Sequence, residues 1–419
     1  MAPGFYFLLA AQFVSALADN ALLLVAMSLL IEQQQQAFWV PLLKLMFTLS
    51  YVVLGPWVGA WADTWPKHKV MMRANGIKCL ACLAMLLGLN PIVAFGFAGL
   101  GAAIYAPAKY GLITEMEPAH RLVRANGWIE VSTVCAALFG MVLGGFLVGP
   151  TWLNSALCVW LGAGLQSFGT LAVSLAALLA FYALAAALNR LIPDSGVRYA
   201  PSPWHVSAVC ARFLADQRAL WRDPLGSISL AVTTLFWGVG ATLQLLVLAW
   251  AQQALHLSLE HAAYLQAATA IGVIAGAALA ARLVALEHTP KVLGVGILLG
   301  LLLPLMSLVH AWQVAAVLTF VLGLVGGFFV VPMNALLQHR GATLLSAGRS
   351  ISVQNTNENA SVLAMMGMYS ALLYAQVDVD QLVWMLGALV ALGMGLVQWR
   401  YWALKSSQRI VAGQGLGQL

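Results

Sequence analysis

The chain has 419 residues, of which 62% are hydrophobic and 8% are charged. Because soluble domains usually carry about 25% charged residues, this composition excludes a water-soluble fold. In a bilayer the backbone polar groups must be satisfied within the protein, so spanning segments are helices or closed barrels. The long apolar runs do not alternate as barrel strands do. We therefore expect an all-α membrane protein.

The polar, glycine-rich and proline-rich breaks predict twelve membrane-spanning helices, six on each side of a polar interval. The first six lie near residues 5–31, 38–61, 69–89, 92–113, 126–149 and 166–190. The other six lie near residues 226–252, 259–285, 291–310, 312–337, 351–375 and 381–403. Each is close to the ~20 residues that cross a bilayer. The apolar residues 151–166 have two interpretations, an interfacial excursion or an early extension of the sixth helix.

The polar interval predicts the domain organisation. It contains prolines, acidic residues and four arginines, which is too polar to span, and we expect a connecting loop with a short amphipathic helix. The predicted parts are an amino-terminal bundle, a cytoplasmic linker, a carboxy-terminal bundle and a cytoplasmic tail, at residues 1–190, 191–225, 226–403 and 404–419.

The distribution of lysine and arginine predicts the orientation. Positively charged loops stay on the cytoplasmic side during insertion. If the amino terminus is cytoplasmic, the loop and helix-end lysines and arginines gather on the inner side, and only Lys44 falls outside. The net charge of +6 is then explained by topology and by anionic lipid, without nucleic acid.

An internal repeat supports two related halves. Residues 101–115 and 326–340 share a glycine, an aromatic residue, a proline and a run of small residues at matching offsets. Both segments fall in the fourth helix of their half. Parallel repeats of six helices are one way in which transporters are built, with the substrate near mid-membrane.

Asp19 lies near the middle of the first predicted helix and is followed by Asn20. A carboxylate at that depth costs at least ~2.5 kcal/mol to insert, so it normally faces a cavity, a cation or a base. We expect both residues to line a substrate or ion pathway, with Asp19 as the leading site residue. The alternative is a protonated or hydrogen-bonded aspartate with a structural role between helices.

Two more acidic residues lie within predicted helices, Glu358 in the eleventh and Glu130 in the fifth. Glu358 belongs to a polar run that includes Asn355, and such a run is hard to face toward lipid. We expect Glu358 and Asn355 to line the cavity. Glu130 lies nearer the inner surface, where a pathway residue and a gate or snorkelling residue are equally consistent with the pattern.

Two lysines also fall inside predicted helices. Lys109 lies close to the inner end of the fourth helix, where it can snorkel or reach into the pathway. Lys78 in the third helix either pairs with an acid or snorkels. Phosphate groups prefer lysine or arginine, and a coupling cation prefers carboxylate and carbonyl oxygens. A cavity that contains Asp19, Glu358 and Lys109 can therefore serve both.

The loop between the second and third predicted helices carries a glycine, an aspartate four residues later and basic residues after a tight turn. These residues are Gly59, Asp63, Lys67 and Lys69. The pattern resembles the loop signature of the major facilitator superfamily, with Pro66 in place of its usual glycine. At a helix end, Asp63 can cap the next helix and pair with basic groups in one state of a transport cycle. We expect a gate element there.

Five segments together resemble the family of bacterial lysophospholipid transporters within the major facilitator superfamily. They are residues 12–23, 105–111, 123–127, 235–238 and 326–338. The resemblance extends over roughly residues 8–375. It implies the major facilitator superfamily fold, with twelve transmembrane helices in two six-helix pseudo-repeats and cytoplasmic termini.

The resemblance also implies a function. A member of this family moves lysophosphatidylethanolamine and lysophosphatidylglycerol from the outer to the inner leaflet of the bacterial inner membrane. An acyltransferase-acyl carrier protein synthetase is the implied functional partner, which re-acylates them. The acid that matches Asp19 is associated with sodium coupling, and the acid that matches Glu358 with the polar cavity. Gln244 stands where the family is expected to have an arginine, which puts a charge pair between the first and seventh helices in doubt.

These patterns predict a monomeric transporter without a catalytic site or bound cofactor. Only the lipid head needs shelter from hydrocarbon, so we expect lateral entry between helices and alternating access. The alternative is a proton-coupled exporter of drugs or metabolites, because one fold hosts many functions. A membrane acyltransferase is disfavoured, since none of the eight histidines has an aspartate five residues later.

Overall fold

A computed structural model describes residues 1, 3–33, 39–165, 168–199 and 205–415. These residues form fifteen α-helices and no strand. The helices are α1 (Pro3–Glu32), α2 (Val40–Thr64), α3 (Lys67–Leu86), α4 (Pro91–Met116), α5 (Leu122–Val148), α6 (Pro150–Leu153), α7 (Ala156–Gly162), α8 (Ala172–Arg190), α9 (Val206–Arg222), α10 (Pro224–Gln253), α11 (Leu259–Leu283), α12 (Leu293–Leu302), α13 (Trp312–Leu344), α14 (Ala347–Tyr374) and α15 (Val379–Gly415). The predicted all-α class is confirmed.

Ten helical segments among the described residues are long and apolar enough to cross a membrane. They coincide with ten of the twelve predicted spans. The other two, α3 and α14, are long helices at the predicted positions, but they are too polar for that criterion. Polar residues of both helices are buried within the protein, as Lys78 and Gln354 show. A hydropathy criterion therefore underestimates the ability of these two helices to span a membrane. The predicted side of the termini stays a prediction.

Several predicted boundaries differ from the structure. The sixth span begins at Ala172 instead of residue 166, and the ambiguous apolar segment forms the short helices α6 and α7. It is therefore not a continuous extension of α8, although residues 166–167 lie outside the described chain. The ninth span is interrupted, since 3-10 turns at Leu286–Val292 and Leu303–Leu308 flank α12. Pro304 explains the second turn, because proline lacks the N–H of an α-helical hydrogen bond.

Local signals at the helix starts are those expected for these residue types. The Asn90 side chain accepts a 2.9 Å hydrogen bond from the Ile92 N–H at the start of α4. The Asp223 carboxylate accepts one of 2.7 Å from the Gly226 N–H at the start of α10. A proline follows each cap at the first helical position, where its missing N–H costs nothing.

The chain divides into two compact units. The first comprises Met1–Arg121, Ile129–Asp216 and Gly341–Ala360. Its core contains fully buried residues of α1 and α8, such as Leu22, Leu178 and Tyr182, and residues of α2 to α5. A methyl group on Gly144 of α5 would lie 2.9 Å from the Ala21 carbonyl oxygen of α1, so this glycine permits the close packing of the two helices.

The second unit comprises Leu122–Trp128, Gln217–Arg340 and Ser361–Leu419. Its core includes Trp250 of α10, Phe329 of α13 and Met394 of α15. Helices α11 and α13 approach each other closely, because glycines of each helix lie against backbone atoms of the other. These glycines are Gly272 and Gly276 on α11, and Gly323 and Gly327 on α13. These four glycines therefore permit the close packing of α11 against α13.

Candidate functional site

A cavity of about 280 Å³ lies in the first unit and is lined by α1 to α5. Its polar lining includes Gln12, Asp19, Asn20, Lys44, Lys78 and Lys109. Leu23, Phe47 and Phe95 contribute apolar walls. The cavity thus offers charges of both signs beside hydrocarbon, a combination suited to an amphipathic ligand.

Asp19 lines this cavity and its carboxylate is held by two groups. Oδ2 lies 2.6 Å from the Lys78 Nζ, and Oδ1 accepts a 2.8 Å hydrogen bond from the Tyr182 hydroxyl. The Asp19 side chain is 17% exposed and that of Lys78 only 2%. Asp19 is therefore one half of an ion pair whose acidic member faces the cavity.

The surroundings of Lys78 are shaped for an ammonium group. Its Nζ donates a 3.0 Å hydrogen bond to the Ser15 hydroxyl and lies over the rings of Tyr105 and Tyr182, at 5.4 and 5.6 Å. A methyl group on Gly101 of α4 would lie 2.7 Å from the Lys78 Cγ. The glycine therefore leaves room for the lysine stem along α4.

The second layer orients Ser15. Its hydroxyl donates a 2.7 Å hydrogen bond to the Asn75 Oδ1, and the Asn75 side chain is fully buried. Because the serine proton points at Asn75, the lone pairs of Ser15 are left for the Lys78 ammonium. The pocket of Lys78 is thus built by α1, α3, α4 and α8 together.

The other predicted residues near α1 also line the cavity. Lys109 is buried, with its Nζ 3.5 Å from the Gln12 Oε1 and 4.2 Å from the Tyr110 ring centroid. Gln12 donates a 2.7 Å hydrogen bond to Ser132 of α5. Asn20 donates to the Ala16 carbonyl of its own helix. Lys109 therefore points into the protein and does not snorkel.

Glu130, Asn355 and Glu358 are all buried in the first unit, but none of them is among the residues that line the cavity. The Glu358 Oε1 accepts a 2.7 Å hydrogen bond from Gln354. Glu130 and Glu358 both lie within electrostatic range of Tyr110, and Glu130 also interacts with Lys109. The two glutamates thus share Tyr110 as a neighbour, and Glu130 also lies near Lys109 of the cavity lining.

Gln244 belongs to the second unit. It is exposed on α10, and its backbone carbonyl oxygen accepts a hydrogen bond from the side-chain amide of Gln266. Inside the first unit, the countercharge of Asp19 is the ammonium of Lys78.

The predicted gate loop has a different local structure from the one expected. Asp63 does not cap the next helix, α3, whose amino terminus follows Pro66 without a side-chain cap. It instead accepts hydrogen bonds from the Ser346 hydroxyl at 2.5 Å, the Gly348 N–H at 2.9 Å and the Arg349 N–H at 3.2 Å. The expected cap on α3 is thus corrected. The first N–H groups of α14, which have no partner within their own helix, donate to the Asp63 carboxylate instead.

The basic residues of the same loop take separate positions. The Lys67 Nζ lies 2.5 Å from Glu115 and 3.4 Å from Asp63, and the side chain is buried. Lys69 is exposed. Gly59 allows α2 to approach α14, since a methyl group there would lie 2.8 Å from the Ser352 Cβ.

The sequence alone does not assign the partners of Lys78, Asp19 and Lys67 that the structure shows. The acid that pairs with Lys78 was open, and Tyr182 and Glu115 were not singled out. A usable signal existed for Lys78, because a lysine within an apolar helix needs an acid or a route to the interface. No pattern along the chain marks Tyr182, which lies far from Asp19 in the sequence.

The chain is similar to known transporters over most of its length. Residues 8–375 match the family described as the Major Facilitator Superfamily. The lysophospholipid transporter LplT of Yersinia enterocolitica is 38% identical over 381 residues, which cover 90% of this chain and 89% of the relative. The LplT of Yersinia pestis is 40% identical over 364 residues, which cover 86% of this chain and 85% of the relative.

Solved structures share the fold. A bacterial homologue of the iron transporter ferroportin, in an outward-facing state, has a TM-score of 0.68 at 16% identity and covers 96% of this chain and 99% of its own. The human organic anion transporter MFSD10 has a TM-score of 0.69 at 14% identity and covers 95% of this chain and 100% of its own. At such identities the likeness shows the fold alone.

The predicted resemblance is confirmed by these relatives, and the predicted superfamily fold by both the family match and the solved structures. The chain is a multi-pass membrane protein that belongs to the LplT family of lysophospholipid transporters within the major facilitator superfamily.

Proposed function

We propose that this protein moves lysophospholipids, namely lysophosphatidylethanolamine and lysophosphatidylglycerol, from the outer to the inner leaflet of the bacterial inner membrane. The observation that carries the proposal is the cavity of the first unit, where Asp19, Lys78 and Lys109 stand beside apolar walls. The names of the relatives support the same substrate class.

The chemistry of the cavity fits a single-chain lipid. A phosphate head costs too much to cross hydrocarbon without a partner, whereas an acyl chain is stable in lipid. Lysine ammonium groups bind phosphate, and carboxylates bind the amine of a zwitterionic head. The protein therefore shelters the head in the charged cavity while the tail stays against apolar walls or lipid, with lateral entry between helices and alternating access.

The remaining parts of the proposal concern coupling and partners. Sodium is the proposed symported ion, with Asp19 as its binding residue, and the protein works as a monomer without a resident cofactor or catalytic chemistry. Lysolipid delivered to the inner leaflet is the substrate that an acyltransferase-acyl carrier protein synthetase re-acylates.

Transport by purified protein tests the substrate class. Full-length protein in liposomes should accelerate the inward movement of labelled lysophosphatidylethanolamine, measured as the fraction that albumin no longer extracts from the outer leaflet. Protein-free liposomes give the baseline. Proton-driven drug efflux without lysolipid movement would refute the proposal in favour of an exporter.

A further inference from the structure

The Asp19–Lys78 pair has an unequal exposure that distinguishes it from a sealed structural pair. The ammonium is almost fully enclosed, with a side-chain exposure of 2%, while the carboxylate is 17% exposed toward the cavity. A ligand in the cavity thus meets the acid of the pair directly. Buried ion pairs are weak contributors to stability compared with apolar packing, so the pair has no evident stabilising purpose.

Both oxygens of the Asp19 carboxylate are already engaged. Lys78 lies at 2.6 Å from Oδ2, and the Tyr182 hydroxyl donates to Oδ1 at 2.8 Å. A small cation that binds Asp19 competes with the ammonium for the carboxylate, because two positive charges held at one carboxylate repel each other. Lys78 is therefore a tethered competitor for any cation that binds there.

A displaced Lys78 needs a new anionic partner. An unpaired ammonium in a region of low dielectric is costly, and Ser15 and the tyrosine rings supply no negative charge. Lys78 itself lines the cavity, so the phosphate of a bound head is within the space that its ammonium can face. The negative charge of the phosphate then neutralises the ammonium of Lys78, and the positive charge of the cation neutralises the carboxylate of Asp19.

We propose that Lys78 couples the two ligands by exchanging partners, from the Asp19 carboxylate to the phosphate of the lipid head, so that Asp19 accepts a cation when the head is bound. This inference rests on the proposed function for the identity of the head. It deepens that function by assigning the link between cation and lipid to one residue of α3.

The first arm of the test uses sodium alone. Wild-type protein, Lys78→Gln and Lys78→Met are placed in nanodiscs without lysolipid, and ²²Na⁺ binding is titrated at fixed pH. Removing the tethered ammonium should tighten sodium binding by about fivefold or more. Lys291→Gln is the matched control, because Lys291 is exposed in the 3-10 turn of the second unit, and it should bind as wild type does.

Two substitutions of Lys78 are used so that a folding defect in one variant does not prevent the measurement of sodium affinity. If Lys78→Gln is too unstable to purify, Lys78→Met retains a side chain of similar length beside Gly101. A purely structural role for Lys78 would lower the thermal stability of both variants without tightening sodium binding. Unchanged or weaker sodium affinity in a folded variant overturns the inference.

The second arm adds lysophosphatidylglycerol. In wild type the lipid should tighten sodium binding, whereas in the Lys78 variants sodium binding should no longer depend on lipid. Persistence of the lipid effect in a folded variant overturns the coupling role. Failure of the proposed function looks different, because wild-type protein would then show no lipid effect while the first arm still reports tighter sodium binding in Lys78→Gln.

Discussion

The carboxylate of Asp63 accepts a 2.9 Å hydrogen bond from the backbone N–H of Gly348, at the first turn of α14. These residues lie far apart in the sequence, yet the acid of the α2 end caps a helix that begins at Ala347. The geometry combines a hydrogen-bond acceptor with the positive end of a helix dipole. It joins the loop signature to the helix that carries Glu358.

Asp63→Asn should therefore lower the apparent melting temperature of the purified protein. Asparagine can still accept hydrogen bonds from the helix terminus, but the substitution removes the negative charge there, an interaction that contributes about 0.3 to 1 kcal/mol. Asp194→Asn is the control, since Asp194 forms an exposed pair with Arg198, a type that contributes little. Equal melting temperatures for Asp63→Asn and wild type would refute a stabilising negative charge at this helix terminus.

Gly59→Ala should separate α2 from α14 and destabilise the first unit. The new methyl group would lie 2.8 Å from the Ser352 Cβ and 2.9 Å from the Arg349 Cα, and backbone atoms cannot yield as a flexible side chain does. Gly145→Ala in α5 is the matched control, because nothing lies within 4 Å of its added carbon. We expect a lower melting temperature for Gly59→Ala alone, and a loss of equal size in both variants would contradict the close-approach argument.

Tyr182→Phe should lower the melting temperature, because it removes a hydrogen bond to the Asp19 carboxylate. The lost hydrogen bond of 2.8 Å has a charged acceptor, and such bonds contribute about 1.5 to 3 kcal/mol. Tyr374→Phe, at a site that is 90% exposed, should leave the melting temperature unchanged. In an Asp19→Asn background the effect of Tyr182→Phe should shrink. An undiminished effect would show that the hydroxyl stabilises something other than the carboxylate.

Lys109→Ala should impair transport of lysophosphatidylglycerol more than that of lysophosphatidylethanolamine. Lys109 lines the cavity, and a lost ammonium matters most for a head with net negative charge. Initial rates of both lipids in liposomes give the ratio. Equal loss for the two heads would place Lys109 in gating and not in head recognition.

At low pH the protein should lose the stabilisation that the ionised carboxylate of Asp223 provides. Burial alone would raise the pKa of the Asp223 carboxyl, but hydrogen bonds from Arg340 and from the Gly226 N–H outweigh it and hold the pKa below its ordinary value. The stabilisation is therefore present above about pH 4 and is lost as the pH falls through the folded-state value. The difference in melting temperature between wild type and Asp223→Asn should be largest near neutral pH and shrink below pH 4. A constant difference would contradict the assignment.

Helix positions were largely predictable because hydropathy follows directly from residue type. The target of Asp63 was not, because the free N–H groups of α14 become neighbours only after folding. The partner of Lys78 was likewise open, since several acids lie at similar membrane depth and the sequence does not say which helices touch.

The most direct measurement is to map where the lipid head binds. A lysolipid with a photoreactive group on its head is crosslinked to the full-length protein in nanodiscs, and adducts are located by mass spectrometry. The account predicts adducts on residues of α1 and α4 that line the cavity, such as Asn20 and Ala106, and their loss when unlabelled lysolipid competes. Adducts confined to exposed apolar positions such as Phe139 and Trp399, with none in the cavity, would contradict it.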